Sequence, residues 1–275
     1  MNDSMEQCAV DASGPPSTPR QTADPGRAAL LDASGGVLRA PVDRRGPARA
    51  EPAAPAVGAA VGAGAREWHA DPYAAALRTG RGPLFLRRGD GWLLPLEVER
   101  WCAPPDEADA TVLARCRGGV LDVGCGPGRL VAALAARGHP VLGIDVSRHA
   151  VERAVREGGA ALCRSVFDPL PGTGRWATLL LIDGNIGIGG DPAALLARAR
   201  ELAAPDGTVL VETAGTELDE RVVVRVDDGR GGHGTPFPWA RLGTRALLAH
   251  GGRAGWRAVE QWRVGGRRFV QLRRG

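Results

Sequence analysis

The stretch LDVGCGPGRL, residues 121–130, sets Gly124, Gly126 and Gly128 into five consecutive positions, directly behind an apolar run that contains Asp122. The run GVLDV (119–123) is short and apolar, and the segment after the glycines, GRLVAALAARG (128–138), has helical periodicity. The order predicts strand, tight turn, helix. In that context a nucleotide-type ligand sits at the carboxyl edge of a parallel sheet. Glycine permits positive φ and removes the Cβ, so ligand atoms can approach the backbone. Amides at the helix start can donate to a polar end of the ligand. Asp122 restricts the choice, because a carboxylate beside the turn repels a phosphate and attracts an ammonium group.

Outward from the glycines the pattern alternates. PVLGIDV (140–146) reads as a second strand and SRHAVERAVREGG (147–159) as a helix capped by Ser147. ALCRSVF (161–167) and WATLLLID (176–183) read as strands three and four. DPAALLARARELAAPDG (191–207) is a helix and turn, and TVLVET (208–213) a fifth strand. Strand then helix, repeated, implies right-handed crossovers and a parallel sheet. After a helix expected near 238–250, GWRAVEQWRV and RRFVQLRR read as two strands joined by Gly265-Gly266. The predicted fold is therefore α/β, doubly wound, with a mostly parallel seven-stranded sheet ending in an antiparallel C-terminal hairpin.

Upstream, DPYAAALRT (71–79) predicts a short helix with Asp71 as N-cap and Pro72 in its first turn. PLFLRRGDGWLLPL (83–96) predicts a β-hairpin, and residues 106–116 a helix with acids at its start. The expected organisation is a disordered tail over 1–65, an N-terminal cap over 66–117 and the main domain over 118–275, with a substrate-side insert near 215–240. The tail expectation rests on composition. Residues 1–65 contain no Phe, Trp or Tyr and are rich in Ala, Pro, Gly and Ser, too little apolar surface to offset the entropy of ordering.

All 35 basic residues of the 275 are arginine, and the formal net charge is +4, which demands no acidic partner. The five cysteines (Cys8, Cys102, Cys116, Cys125, Cys163) are scattered without metal-ligand spacing, so no metal site and no disulfide framework is expected. No apolar run reaches the roughly 18 residues of a membrane span. The N-terminus lacks a basic-then-apolar signal, and a cytoplasmic location is the default expectation.

The glycine spacing is G-x-G-x-G, not the dinucleotide G-x-G-x-x-G. Asp145 ends the second strand, where it could accept both hydroxyls of a ribose. Asp168 follows the third, where it could accept from an adenine amine. Three acids at three successive strand ends suit a ligand with an ammonium, a ribose diol and an adenine, and no phosphate. DVGCGPG resembles the glycine motif of class I S-adenosylmethionine-dependent methyltransferases. GIDVS resembles that family's second motif, SVFDPLP its adenine-side loop, and APDGTVLVE its turn and fifth strand. The matches come in family order over about 118–214. The resemblance implies S-adenosyl-L-methionine as cofactor. It implies that Asp122, Gly124, Gly126 and Gly128 hold the methionine portion, Asp145 and Val146 the ribose, and Asp168 and Phe167 the adenine. Cys125, inside the turn, reads as a small filler.

Methyl transfer needs a nucleophile in line with the methyl, and a base where that nucleophile carries a proton. The end of strand four, LLLIDGNIGIGGD (179–191), should emerge beside the methyl group, which makes Asp183 a candidate cofactor contact or catalytic acid-base group and Asn185 a substrate contact. Amino methyltransferases of nucleic acids carry Asn or Asp there, followed by Pro-Pro and an aromatic. Asp-Gly-Asn-Ile-Gly departs from that pattern and argues against a nucleic-acid substrate. His233, in the loop DDGRGGHGTPFPW, is a candidate base, and His69 and Tyr73 are candidates for a lid with Trp68. His139, His149 and His250 read as surface residues. The C-terminal arginines (Arg263, Arg267, Arg268, Arg273, Arg274) read as solvated charges that protect an edge strand. The favoured partner is a small-molecule methyl acceptor. The alternatives are a nucleic-acid or protein methyltransferase, or a non-methylating relative that binds the same cofactor.

Overall fold

The computed structural model describes residues 71–275. The expectations for the 1–65 tail and for Trp68 and His69 lie outside the described residues. In chain order the elements are α1 (Asp71–Thr79), β1 (Phe85–Arg88), β2 (Leu93–Pro95), α2 (Val98–Cys102), α3 (Glu107–Leu113), β3 (Val120–Val123), α4 (Arg129–Ala136), β4 (Val141–Asp145), α5 (Arg148–Arg156), β5 (Ala161–Cys163) and β6 (Trp176–Leu181). A 3-10 turn (Asn185–Gly187) leads to α6 (Pro192–Leu202), β7 (Ala203–Thr213), β8 (Asp219–Asp227), β9 (Phe237–Leu242), α7 (Thr244–Arg253), β10 (Trp256–Val264) and β11 (Arg267–Arg274).

The main sheet has seven strands in the order β10-β11-β7-β6-β3-β4-β5. β3, β4, β5, β6 and β7 run parallel, and β11 pairs antiparallel with both β7 and β10. Its central strands are buried on both faces, which explains their unbroken apolar runs. Successive residues serve opposite layers. Leu121, Leu179, Leu181, Val209 and Val211 pack with α6 and α7, whereas Val120, Leu180, Ile182, Leu210 and Phe269 pack with α3 and α4. The helix starts follow the chemistry expected of them. Ser147 Oγ accepts from Ala150 N, and Asp106 and Asp109 form a reciprocal capping box at α3.

A second sheet, of four antiparallel strands in the order β2-β1-β8-β9, joins the N-terminal hairpin to the insert more than a hundred residues later. Leu84, Leu86, Val224, Val226, Phe237 and Trp239 form its apolar face together with Tyr73 and Leu77 of α1 and Val98 of α2. α3, in contrast, packs against the main sheet. A single antiparallel bridge between Ile188 and Trp239 connects this cap sheet to the loop after β6.

The structure corrects four sequence expectations. Residues 237–242 are strand β9, not the start of a helix, because FPWARL pairs along β8; the helix begins at Thr244. α2 was not expected. His250 is buried and its Nε2 lies 3.0 Å from Asp219 Oδ2, tying α7 to β8. Arg267 is not a solvated edge charge. Its side chain is 13% exposed and lies within an ion cluster.

Candidate functional site

The turn after β3 uses its three glycines differently. All three have positive φ. A Cβ on Gly124 would lie 2.7 Å from Asn185 Nδ2, and one on Gly128 would lie 2.5 Å from the Ala154 Cβ, so both are needed for packing. At Gly126 the nearest atom would be the Tyr73 hydroxyl at 3.8 Å. That Cβ would occupy cavity space instead. The turn's own amides serve the protein. Gly124 N and Cys125 N donate to Ile144 O, Gly126 N to Asp145 Oδ2 at 2.9 Å, and Gly128 N to Cys125 O. The turn therefore offers a ligand close approach rather than the free donors of a phosphate cradle.

A cavity of about 500 Å³ opens along the carboxyl edge of β3, β4, β5 and β6 and beneath the cap sheet. It gathers Tyr73, Gly124, Gly126, Asp145, Val146, Phe167, Asp168, Asp183 and Asn185. Gly128 and Asp122 stand behind its wall, Gly128 as the cap of α4 and Asp122 buried in β3. His233 does not line the cavity. It sits exposed in the β8–β9 loop, bridged to Asp227.

Burial pushes Asp122 up to about 7. Burial also raises Asp145, to about 6, although the amides of Ser147 and Gly126 donate to its two oxygens and oppose the shift. Each oxygen keeps a lone pair for a further donor. Asp168 Oδ2 accepts from Ser165 N, and its carbonyl, with that of Val166, accepts from Arg198 of α6. This loop presents Phe167, 37% exposed, with its ring edge against Gly189. Asn185 Nδ2 donates to the carbonyls of Val123 and Gly124, both at 2.9 Å, which ties the loop after β6 to the glycine turn.

Asp183, at a φ of 58°, is gripped by three arginines. Arg100 of α2 donates to it at 2.6 Å, Arg129 at 2.7 and 3.2 Å, and Arg267 of β11 at 3.3 Å. Burial alone would raise its pKa, but these guanidinium groups outweigh burial and hold it below the usual carboxylate range. Arg129 also forks onto Asp109, and Arg267 onto Glu212, whose Oε2 accepts from Asp183 N. Sequence reading missed Arg100, Arg129, Arg267, Asp109 and Glu212. A signal existed at Arg129, a long cation within a buried helix start, and at Glu212, an acid closing the buried strand β7.

A family model described as "Methyltransferase domain" matches residues 99–249, and the chain belongs to that family. The chain is 34% identical over 107 residues to a ubiquinone biosynthesis O-methyltransferase of Methylococcus capsulatus. That match covers 36% of this chain and 44% of the relative, so the chain spans less than half of that protein's length. Among solved structures it resembles an S-adenosylmethionine-dependent methyltransferase from Bacteroides fragilis in complex with S-adenosyl-L-homocysteine. That similarity has a TM-score of 0.63 at 21% identity and covers 76% of this chain and 95% of the other. Among the described residues no helix is long and apolar enough to cross a membrane, and no group of His, Cys, Asp and Glu could hold a metal ion.

Proposed function

We propose that this protein is an S-adenosylmethionine-dependent methyltransferase that acts on a small-molecule acceptor enclosed beneath the cap sheet. The observation that carries the reading is the continuity of one cavity, from Gly124, Gly126 and Asp145 on the core side to Leu86, Phe237 and Trp239 on the cap side. The residues fit the cofactor. Space is kept at Gly126, the turn lacks a phosphate cradle, Asp145 lines the cavity with lone pairs to spare, and the buried Asp122 lies behind its wall.

S-adenosylmethionine, when bound, supplies an electrophilic methyl group on a sulfonium. Asp145 would accept the ribose hydroxyls through its remaining lone pairs, with Val146 beside the ring. Phe167 would lie against the adenine and Asp168 would accept from its amino group. Asp122 would set a negative charge behind the methionine portion. Asp183 serves as an anchor. Clamped by Arg100, Arg129 and Arg267, it is a poor proton acceptor, and it orders the wall next to the acceptor. Among the described residues no histidine lines the cavity. The lining residues contribute orientation and exclusion of water, which lower the barrier of a displacement of this kind. The enclosing cap sheet favours a small acceptor over a macromolecular one.

The test is a calorimetric titration of the full chain with S-adenosylmethionine and, separately, NAD, on wild type and Asp145→Ala. Binding of S-adenosylmethionine that is lost in the variant, with no binding of NAD, is the expected result. Folded wild-type protein that binds no S-adenosylmethionine would refute the reading.

A further inference from the structure

Asn185 carries a hydrogen-bond acceptor that the protein does not use. Its Nδ2 donates to the carbonyls of Val123 and Gly124, both at 2.9 Å. These bonds commit both amide hydrogens. They also fix the orientation of the group, because the reverse orientation would set Oδ1 against two carbonyl oxygens. Oδ1 accepts from no donor among the described residues. It is not sealed in either. Among the described residues, the buried side-chain nitrogens and oxygens without a partner are Trp101 Nε1 and Arg200 Nε. Asn185 lines the cavity, so its Oδ1 is an open acceptor held at a fixed angle in the wall.

We infer that Asn185 Oδ1 accepts a hydrogen bond from the α-ammonium group of S-adenosylmethionine. This inference rests on the methyltransferase reading above, which puts the methionine portion at the glycine turn. Asn185 is fastened to that turn. A Cβ on Gly124 would lie 2.7 Å from its Nδ2, so the amide stands directly over the first glycine. An ammonium group brings N–H donors, and burying them without an acceptor is costly. Asp122 supplies negative charge but is not part of the cavity lining, so the direct contact falls to another group. Asp183 does line the cavity, yet Arg100, Arg129 and Arg267 take up its oxygens. Asp145 and Asp168 lie on the side assigned to the ribose and adenine. Asn185 stands next to Gly124 with an oxygen to spare. Its amide is also polarised in the right sense. Donation from Nδ2 to two carbonyls draws electron density toward the donor's partners through the amide, and a chain of such bonds strengthens each member.

The experiment is calorimetry on the full chain with three ligands: S-adenosylhomocysteine, its analogue lacking only the α-amino group, and methylthioadenosine, which lacks the whole amino-acid end. Wild type, Asn185→Ala and Asp122→Asn are compared. Wild type should prefer S-adenosylhomocysteine to the deamino analogue. Asn185→Ala should weaken S-adenosylhomocysteine by at least about tenfold, while the deamino analogue and methylthioadenosine bind nearly as they do to wild type. Asp122→Asn leaves Asn185 in place and should keep a preference for S-adenosylhomocysteine over the deamino analogue. The inference is overturned if Asn185→Ala weakens all three ligands alike, since the side chain then only shapes the turn, or if it weakens none. It is overturned equally if wild type shows no preference, or if the preference vanishes in Asp122→Asn. Should Asn185→Ala fail to fold, the Asp122→Asn comparison decides. In all these cases S-adenosylhomocysteine still binds wild type and the methyltransferase reading stands. Folded wild type that binds no S-adenosylhomocysteine removes both.

Discussion

Arg129 grips Asp109 with two parallel hydrogen bonds, Nε and Nη2 donating to the two carboxylate oxygens at 2.8 and 3.0 Å, and the Asp109 side chain is wholly buried. Arg129 opens α4, directly after the glycine turn, and its free edge continues to Asp183. One guanidinium thus ties the turn, α3 and the end of β6 together. Removing it would take a cation from each of two buried carboxylates, leaving Asp109 with Arg267 and Asp183 with Arg100 and Arg267. Arg129→Met is expected to destabilise the fold by about 3–5 kcal/mol. Arg129→Lys should fail to recover most of that, because an ammonium cannot fork onto two acids. Denaturant unfolding of the three proteins measures both effects.

The glycines of the turn should separate by role. Alanine at either Gly126 or Gly128 meets the left-handed backbone, which costs roughly 1–2 kcal/mol. Gly128→Ala also drives a methyl into Ala154 and should lower the thermal midpoint further. Gly126→Ala should keep a midpoint nearer wild type yet weaken S-adenosylmethionine by at least about tenfold, since its methyl projects into the cavity. Thermal melts and calorimetry on the two variants would contradict this assignment if the order of the effects were reversed.

The buried acids predict two opposite pH dependences. Asp122 and Asp145 hold their protons in the folded chain up to about 7 and about 6. Unfolded, they release them near 4. The folded state binds more protons in that window, so without ligand their contribution to stability falls as pH rises from about 4 to about 7. Asp109 behaves oppositely. Burial alone would raise it, but Arg129 and Arg267 hold it at about 2, and its stabilisation is lost as pH falls from about 4 through about 2. A cofactor bearing positive charge prefers both Asp145, in the cavity wall, and Asp122, behind it, ionised, so its affinity should climb between about pH 5 and about pH 8 and then level off. Asp145→Asn should remove the lower part of that climb. Titrations across the range provide the check, and a flat profile in wild type would count against the assignment.

The cysteines should differ in reactivity. Burial pushes the Cys125 thiol well above its ordinary range and Cys116 up to about 12. Cys163 is exposed. Native protein treated with iodoacetamide should be modified at Cys163 before Cys116 or Cys125, as read by peptide mass mapping. Early alkylation of Cys125 would show that the turn opens in solution.

The features readable from the sequence share a short range. GVLDV, the glycines behind it and Ser147 before α5 each signal through neighbours a few residues away, and each stands where expected. The errors are at longer range. FPWARL carries no strand signal strong enough to outweigh a helical reading; it becomes β9 because β8 lies beside it. Arg267 looks like an edge-strand charge until Asp106, Asp109, Asp183 and Glu212 converge on it from three other parts of the chain. His250 finds Asp219 in the same way. At the site, Asp145, Phe167 and Asp168 were legible because each follows a strand end. The grip of three arginines on Asp183 was not, because no local pattern encodes it.

The pairing of β1 with β8 bears on how this enzyme could acquire a new acceptor. Neither half of the cap is self-sufficient. A chimaera that imported only residues 219–242 from a relative would leave the hairpin of β1 and β2 with an unmatched edge, and one that imported only the hairpin would do the same to β8. Under the proposed function, in which the cap sheet encloses the acceptor, acceptor preference would be inherited as a pair of segments, to be exchanged together or altered one side chain at a time.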